Sequence, residues 1–166
     1  MKWLVLLALL FEAGLACGDD KQKTLPVNPS PPAEQKWQDE CGSCHIAYPP
    51  RFLAAQDWQR LMGSLGKHFG DNAELDAKSN QEILAYLTSH ARSGARYSAP
   101  SLRISDTPWF ARAHHEVAAR AWADPTVKSR ANCTACHVDA ERGDWSEEGV
   151  RMPAGLGGEE EEENEY

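Results

Sequence analysis

Several patterns are missing from this chain of 166 residues, and each absence narrows the class of protein. No segment alternates apolar and polar residues over the length of a β-strand, which argues against a sheet. No basic patch is visible along the sequence, and without this electrostatic footprint nucleic-acid binding is not expected. The longest apolar run, within residues 1–16, is too short to span a membrane. What remains is an all-α protein.

The chain has few cysteines, and almost all of them belong to one repeated motif. Four of the five cysteines belong to two copies of the pattern C-x-x-C-H, at residues 41–45 and 133–137, and the fifth is Cys17. None is left over for a structural disulfide. The pattern is the attachment site of c-type haem, in which two thiols bond to the haem vinyl groups and the histidine ligates the iron. The sequence therefore predicts two haem c groups, with thioethers at Cys41, Cys44, Cys133 and Cys136 and proximal ligands at His45 and His137.

Two other uses of paired cysteines are less consistent with the spacing. A zinc ribbon also contains two C-x-x-C pairs, but it needs no histidine directly after each pair. The 88 residues between the pairs also exceed the usual ribbon spacing. A thioredoxin-like redox pair would lie in a strand–helix–strand context, which is absent around either motif.

The ends of the chain differ in composition from its middle. Residues 1–16 are leucine-rich with one lysine, which predicts an export signal. Residues 17–35 are polar and proline-rich and predict an extended spacer. Cys17 is a candidate lipid anchor, although ordinary cleavage beside it is the alternative. Residues 154–166 form a tail with most of the net charge of −8, for which we expect disorder.

Helical patterns divide the middle of the chain into two haem-binding domains, residues 36–93 and 94–153. One predicted helix carries Trp37 and the first motif, and a second has Trp58, Leu61, Met62 and Leu65 on one face. A third is expected to begin at Ser79, since Ser79 and Glu82 form a capping-box pattern. In the second domain a helix is expected from Thr107-Pro108 through Trp122. A further short helix, near residues 131–138, would carry the second motif.

The remaining histidines are candidates for the second axial ligand of each iron. His68 lies seven residues after Leu61, only about 20° out of register on an ideal helix, so it would share the apolar face. His90 is in phase with Ile83 and Leu87 but suits a helix C-terminus better than a ligand position. We expect the two methionine candidates, Met62 and Met152, to pack as apolar side chains.

Helical phase also separates the adjacent pair His114 and His115. With the polar face set by Arg112, Glu116 and Arg120, the apolar face centres at about 220°. His114 falls at about 200° and His115 at about 300°, so His114 is the preferred ligand. Bis-histidine ligation of both irons follows as the simplest assignment, although ligands crossed between the two domains remain an alternative.

Further residues follow a familiar order along the chain. The N-terminal set is Tyr48-Pro49-Pro50, Trp58, Met62, His68-Phe69-Gly70, Ile83 and Tyr86-Leu87. The C-terminal set is Arg103-Ile104, Thr107-Pro108-Trp109-Phe110, His114, Glu116-Val117, Asn132 and Gly143-Asp144-Trp145. Together with the two motifs, these residues resemble the dihaem cytochrome c family over residues 37–153.

The resemblance implies a class I cytochrome c-like first domain, a smaller second domain and bis-histidine haems with distal ligands His68 and His114. It also implies electron delivery to an oxygen-binding monohaem cytochrome c, sometimes with a membrane cytochrome b upstream. We therefore expect a periplasmic electron-transfer protein, membrane-attached if Cys17 is lipidated. The alternative is a small peroxidase or gas-binding protein, which would need one open iron site.

Overall fold

The computed structural model of the protein describes residues 32–156, which lie in one compact unit. The predicted export signal, Cys17, most of the spacer and the glutamate-rich end of the tail lie outside the described residues. Within residues 32–156 the chain forms helices and turns and no β-strand, which confirms the all-α class. No helix in this range is both long and apolar enough to cross a membrane. The α-helices are α1 (Ala33–Cys41), α2 (Ala55–Met62), α3 (Ala77–His90), α4 (Pro108–Ala113) and α5 (Ala119–Ala123).

Helices α1, α2 and α3 enclose the main hydrophobic core. The longest of them, α3, packs against both α1 and α2 through Ile83 and Leu87, which are fully buried. The apolar face predicted for α2 is confirmed, because its side chains at i, i+3 and i+4 point into this core. The core residues are Trp37, Leu53, Trp58, Leu61, Met62, Leu65, Ile83 and Leu87.

The boundaries of these helices differ from the sequence expectation in three places. Helix α1 ends at Cys41, so the first motif lies across a helix end rather than within a helix. Helix α2 ends at Met62, and a separate 3₁₀ turn at Leu65–Lys67 leads to His68. Helix α3 begins at Ala77 rather than Ser79, because the Asp76 carboxylate accepts hydrogen bonds from the backbone N–H groups of Lys78 and Ser79.

The second half of the described chain has shorter elements than predicted. Helix α4 begins as expected, with the Thr107 hydroxyl accepting from the Phe110 N–H and Pro108 in the first turn. It ends at Ala113, and α5 follows only at Ala119, so the single helix expected through Trp122 is wrong. The second motif lies on a 3₁₀ turn, Cys133–Ala135, and not on an α-helix.

The segment between α3 and α4 packs against α2 instead of lying free. Asp57 is completely buried, and its carboxylate accepts a hydrogen bond from the Ala99 N–H at 3.2 Å while pairing with Arg60 at 3.0 Å. A backbone hydrogen bond from Ala54 to Tyr97 measures 2.8 Å. A buried carboxylate needs such partners, so Asp57 fixes this connection on the first half of the protein. The predicted domain boundary at residue 94 stays a prediction.

Candidate functional site

The first motif follows α1 and orients a histidine ring. The ring nitrogen Nδ1 of His45 lies 2.7 Å from the carbonyl oxygen of Ile46. Because a carbonyl oxygen can only accept, Nδ1 carries the proton and Nε2 keeps its lone pair. Backbone contacts of this kind orient metal-binding histidines in proteins. His45 is therefore prepared to bind a metal through Nε2.

A second imidazole faces the ring of His45. The 3₁₀ turn Leu65–Lys67 brings His68 to a centroid distance of 6.1 Å from His45, with the rings 22° from parallel. Two metal–nitrogen bonds of about 2 Å, each with about 1 Å from nitrogen to ring centre, place two axial imidazoles about 6 Å apart. Burial and the neighbouring His45 lower the pKa of His68, which favours the neutral form that a metal requires. The pair has the right separation to hold one iron between its rings.

The cavity beside this pair suits a large apolar ring. Its volume is about 470 Å³, within the range of about 300–1,000 Å³ for ligand sites. Cys41, Cys44, His45 and His68 line it together with core side chains of α2 and α3. Two cationic side chains at the cavity, Arg103 and Arg130, suit the carboxylates of haem propionates. Its apolar lining includes Leu53, Trp58, Leu61, Met62, Leu65 and Leu87.

The second motif brings together the other predicted pair. His114 directly follows α4, and its ring centroid lies 6.1 Å from that of His137, with an interplanar angle of 78°. Nδ1 of His114 is 2.9 Å from the Phe110 carbonyl oxygen, so its Nε2 is also left with a lone pair. His137 has a buried Nδ1 without a hydrogen-bond partner among the described residues. The centroid separation again fits one metal ion between two imidazoles.

The two remaining histidines lie outside both pairs. His90 is exposed, and its Nδ1 lies 2.9 Å from the Tyr86 carbonyl oxygen and 3.0 Å from the Ser89 hydroxyl. The His115 side chain is 71% exposed and faces Glu116 at 3.6 Å. All six histidines belong to the described part of the chain, and neither of these two is stacked on a motif histidine. The geometry thus favours His68 and His114 over the alternatives His90 and His115.

No disulfide joins the four motif cysteines, so all four sulfurs are available to bond to haem vinyl groups. Burial raises the pKa of both Cys41 and Cys133 to about 11. No group of three or more His, Cys, Asp or Glu side chains among residues 32–156 forms a metal cage. The zinc alternative therefore finds no support in the geometry.

One residue that connects the two sites was not singled out as a site residue from the sequence. The Tyr48 ring stacks on His45 at a centroid distance of 4.9 Å, with 26° between the ring planes. Its hydroxyl donates a 2.6 Å hydrogen bond to the carbonyl of Ala131, two residues before Cys133. Burial, and then the nearby Cys133, raise the pKa of Tyr48 to about 12, so the hydroxyl stays a donor. No local pattern around Tyr48 indicates a contact 83 residues away.

The chain is similar to known proteins of one family. The family model for dihaem cytochrome c matches residues 37–145. A crystal structure of a dihaem cytochrome c from Shewanella baltica OS155 is 37% identical, with a TM-score of 0.64, and covers 74% of this chain and 95% of its own. A dihaem cytochrome c from Rhodobacter sphaeroides is 39% identical, with a TM-score of 0.59, and covers 66% of this chain and 94% of its own. None of the curated proteins compared with the chain matches it.

Proposed function

The chain belongs to the dihaem cytochrome c family and carries two haem c groups, and on this premise we propose that it is an exported electron carrier without an open iron site. Cys41 and Cys44 hold the first haem, and Cys133 and Cys136 hold the second. His45 and His68 are the axial ligands of the first iron. His137 and His114 are those of the second.

The observation that carries this proposal is the pairing of the histidines. Each motif histidine faces one other imidazole at 6.1 Å, and the two pairs use four different histidines. When bound, each haem supplies an iron that takes up and releases one electron. The protein's contribution is to hold both imidazoles of each pair in place in either redox state, so that little rearrangement accompanies electron transfer.

The backbone contacts of the ligands support the same conclusion. Carbonyl oxygens fix the Nδ1 protons of His45 and His114, one in each pair. This selects the tautomer in which Nε2 faces the metal and raises the basicity of the ring. Histidine pairs give lower reduction potentials than a histidine–methionine pair. Met62 is buried in the core, and we expect both potentials to lie in the bis-histidine range.

The other function class is a small peroxidase or gas-binding protein, which needs one iron with a vacant axial position. The proposed ligation by a histidine pair at both motifs leaves no such position. Carbon monoxide separates the two classes, because it binds rapidly to a five-coordinate ferrous haem. We expect no rapid absorbance change when the reduced wild-type protein is mixed with carbon monoxide. Rapid binding of one equivalent would instead support the gas-binding class.

We also propose a cellular setting for this carrier. Residues 1–16 have the composition of an export signal, which agrees with the oxidising compartment in which haem c is attached. We propose a periplasmic location and a lipid anchor at Cys17. Its redox partners would be an oxygen-binding monohaem cytochrome c or a membrane cytochrome b. Membrane fractionation of the wild type beside Cys17→Ser tests the anchor, and equal release of both into the soluble fraction would refute it.

A further inference from the structure

Three arginines from two segments of the sequence lie over two aromatic rings, and both rings pack against Trp109. The guanidinium carbon of Arg51 lies 5.0 Å from the centre of the Phe52 ring. Those of Arg92 and Arg96 lie 5.6 and 4.9 Å from the centre of the Tyr97 ring. These distances are typical of cation–π contacts. We call Arg51, Arg92 and Arg96 the arginine patch.

No acidic side chain among residues 32–156 forms an ion pair with the arginine patch. The ion pairs found among residues 32–156 involve other basic groups: Lys36, Arg60, Lys78, His115 and Arg142. Burial and the charge of Arg92 lower the pKa of Arg51, as expected where like charges are held together. In a chain of net charge −8, three arginines without an ion pair in the described part of the chain form a local positive field that attracts an acidic surface.

An aromatic path leads from the arginine patch to one haem site. The Phe52 ring, under Arg51, contacts the Trp145 ring edge-on at 4.8 Å. Trp145 in turn lies 5.5 Å from the ring of His137. Two ring-to-ring contacts, Phe52 to Trp145 and Trp145 to His137, thus connect the arginine patch to the proposed ligand of the second haem. Because electron transfer weakens steeply with distance, a redox partner docked here would be well placed.

We propose that the arginine patch is the docking surface for an acidic one-electron redox protein that exchanges electrons with the His137 site. The proposal rests on the proposed electron-carrier function. In the donating direction, one electron leaves the reduced protein and the metal centre of the partner gains it. No atom or proton has to be transferred, so the surface needs only to attract and position the partner.

The test is the oxidation of the fully reduced protein by the trianion hexacyanoferrate(III), which becomes hexacyanoferrate(II) on gaining one electron. Stopped-flow rates are measured for the wild type, for R51Q/R92Q/R96Q and for the matched charge-conserving variant R51K/R92K/R96K. At low ionic strength we expect the glutamine variant to react at least about tenfold more slowly, because electrostatic steering of this kind changes association rates by about 10–10³-fold. The lysine variant should stay within about threefold of the wild type, and high salt should bring all three together.

Two further measurements keep the proposal falsifiable. Trp109 and Trp145 both contact the Phe52 ring at 4.8 Å and therefore report on binding at the patch. The redox-inert trianion hexacyanocobaltate(III) should shift their indole NMR signals in the wild type and not in the glutamine variant. The cation hexaammineruthenium(III) should oxidise the glutamine variant no more slowly than the wild type. If the glutamine variant loses its native visible spectrum, the exposed pair R92Q/R96Q replaces it, with an expected loss of at least about threefold.

Several outcomes would overturn the proposal. An unchanged hexacyanoferrate rate in the glutamine variant would show that the arginine patch is not the docking surface. A rate increase on deleting residues 157–166, seen in the wild type and absent from the glutamine variant, would show that the patch binds the chain's own glutamates. Rapid carbon monoxide binding by the reduced wild type would contradict the proposed electron-carrier function instead, so the two failures are distinguishable.

Discussion

Replacing His114 with alanine is expected to open one iron of the protein and leave the other closed. The structure puts His114 opposite His137 at 6.1 Å and gives the first motif its own partner, His68. His115 is the matched control, because it is the next residue, has the same side chain and is 71% exposed to solvent. His115→Ala should therefore leave both irons unchanged.

Two magnitudes can be estimated for His114→Ala: the fraction of iron that changes spin state and the stability that is lost. In the proposed ligation His114 is one of four axial imidazoles, so its loss should convert half of the low-spin ferric iron to another spin state. The reduced variant should then bind one carbon monoxide per molecule. His114 also stacks on Phe110 at 4.0 Å, and such an aromatic pair is worth about 0.5–1.5 kcal/mol. A loss of this size is small beside typical domain stabilities of about 5–15 kcal/mol, so the variant should still fold.

The assay combines electron paramagnetic resonance of the ferric variants with carbon monoxide titration of the reduced ones. Circular dichroism checks that both variants fold. The reasoning would be refuted if His115→Ala opened an iron while His114→Ala did not. It would also be refuted if His114→Ala left both irons low-spin, because a different side chain would then hold the distal position.

Three further predictions concern the other site and the stability of the fold. His68→Ala should open the first iron and admit one carbon monoxide, whereas His90→Ala should admit none; the reverse result would assign the ligand to His90. Tyr48→Phe removes the hydroxyl that joins the segments of the two motifs and should lower the free energy of unfolding by about 1 kcal/mol in a urea titration; an unchanged midpoint would contradict this. Hydrogen bonds from the Ser79 side chain and backbone hold the pKa of Asp76 below its usual value of 3.8, so its carboxylate stabilises the fold above that pH and less as pH falls below it. Asp76→Ala should therefore lower the melting temperature at pH 7, and the difference from the wild type should shrink below about pH 3.8; a difference independent of pH would be inconsistent with the cap.

The sequence was most informative where chemistry depends on local spacing. Both haem motifs and the apolar face of α2 could be identified because their residues lie within a few positions of each other. Helical phase also separated His114 from His115, although the helix ends just before them, at Ala113. His114 still follows Phe110 by four residues, and its N–H donates to the Phe110 carbonyl at 3.1 Å, so the last turn keeps the assumed geometry.

Helix ends were harder to predict because several residues competed for the same role. Asp76 and Ser79 are both good capping residues, and only the structure shows that Asp76 accepts the first hydrogen bonds of α3. Helix α4 ends early because the rings of His114 and His115 bond to carbonyls of its last turn, as polar side chains can at a helix C-terminus.

Contacts between distant segments could not be predicted from one sequence. The hydrogen bond from Tyr48 to Ala131 joins residues 83 positions apart. The arginine patch combines Arg51 with Arg92 and Arg96; each lies over an aromatic ring close to it in sequence, and these local contacts do not indicate that the two segments converge. Such features depend on how distant segments pack together. That packing in turn depends on buried groups such as Asp57, which holds the segment between α3 and α4 against α2.

The central claim is that imidazoles occupy both axial positions of both irons, and electron paramagnetic resonance of the unmodified ferric protein tests it most directly. The rings of His45 and His68 are 22° from parallel, while those of His114 and His137 are 78° apart. Ring orientation affects the low-spin signal, so we expect two distinct low-spin species in equal amounts and no high-spin iron. A high-spin signal from half of the iron would contradict the account.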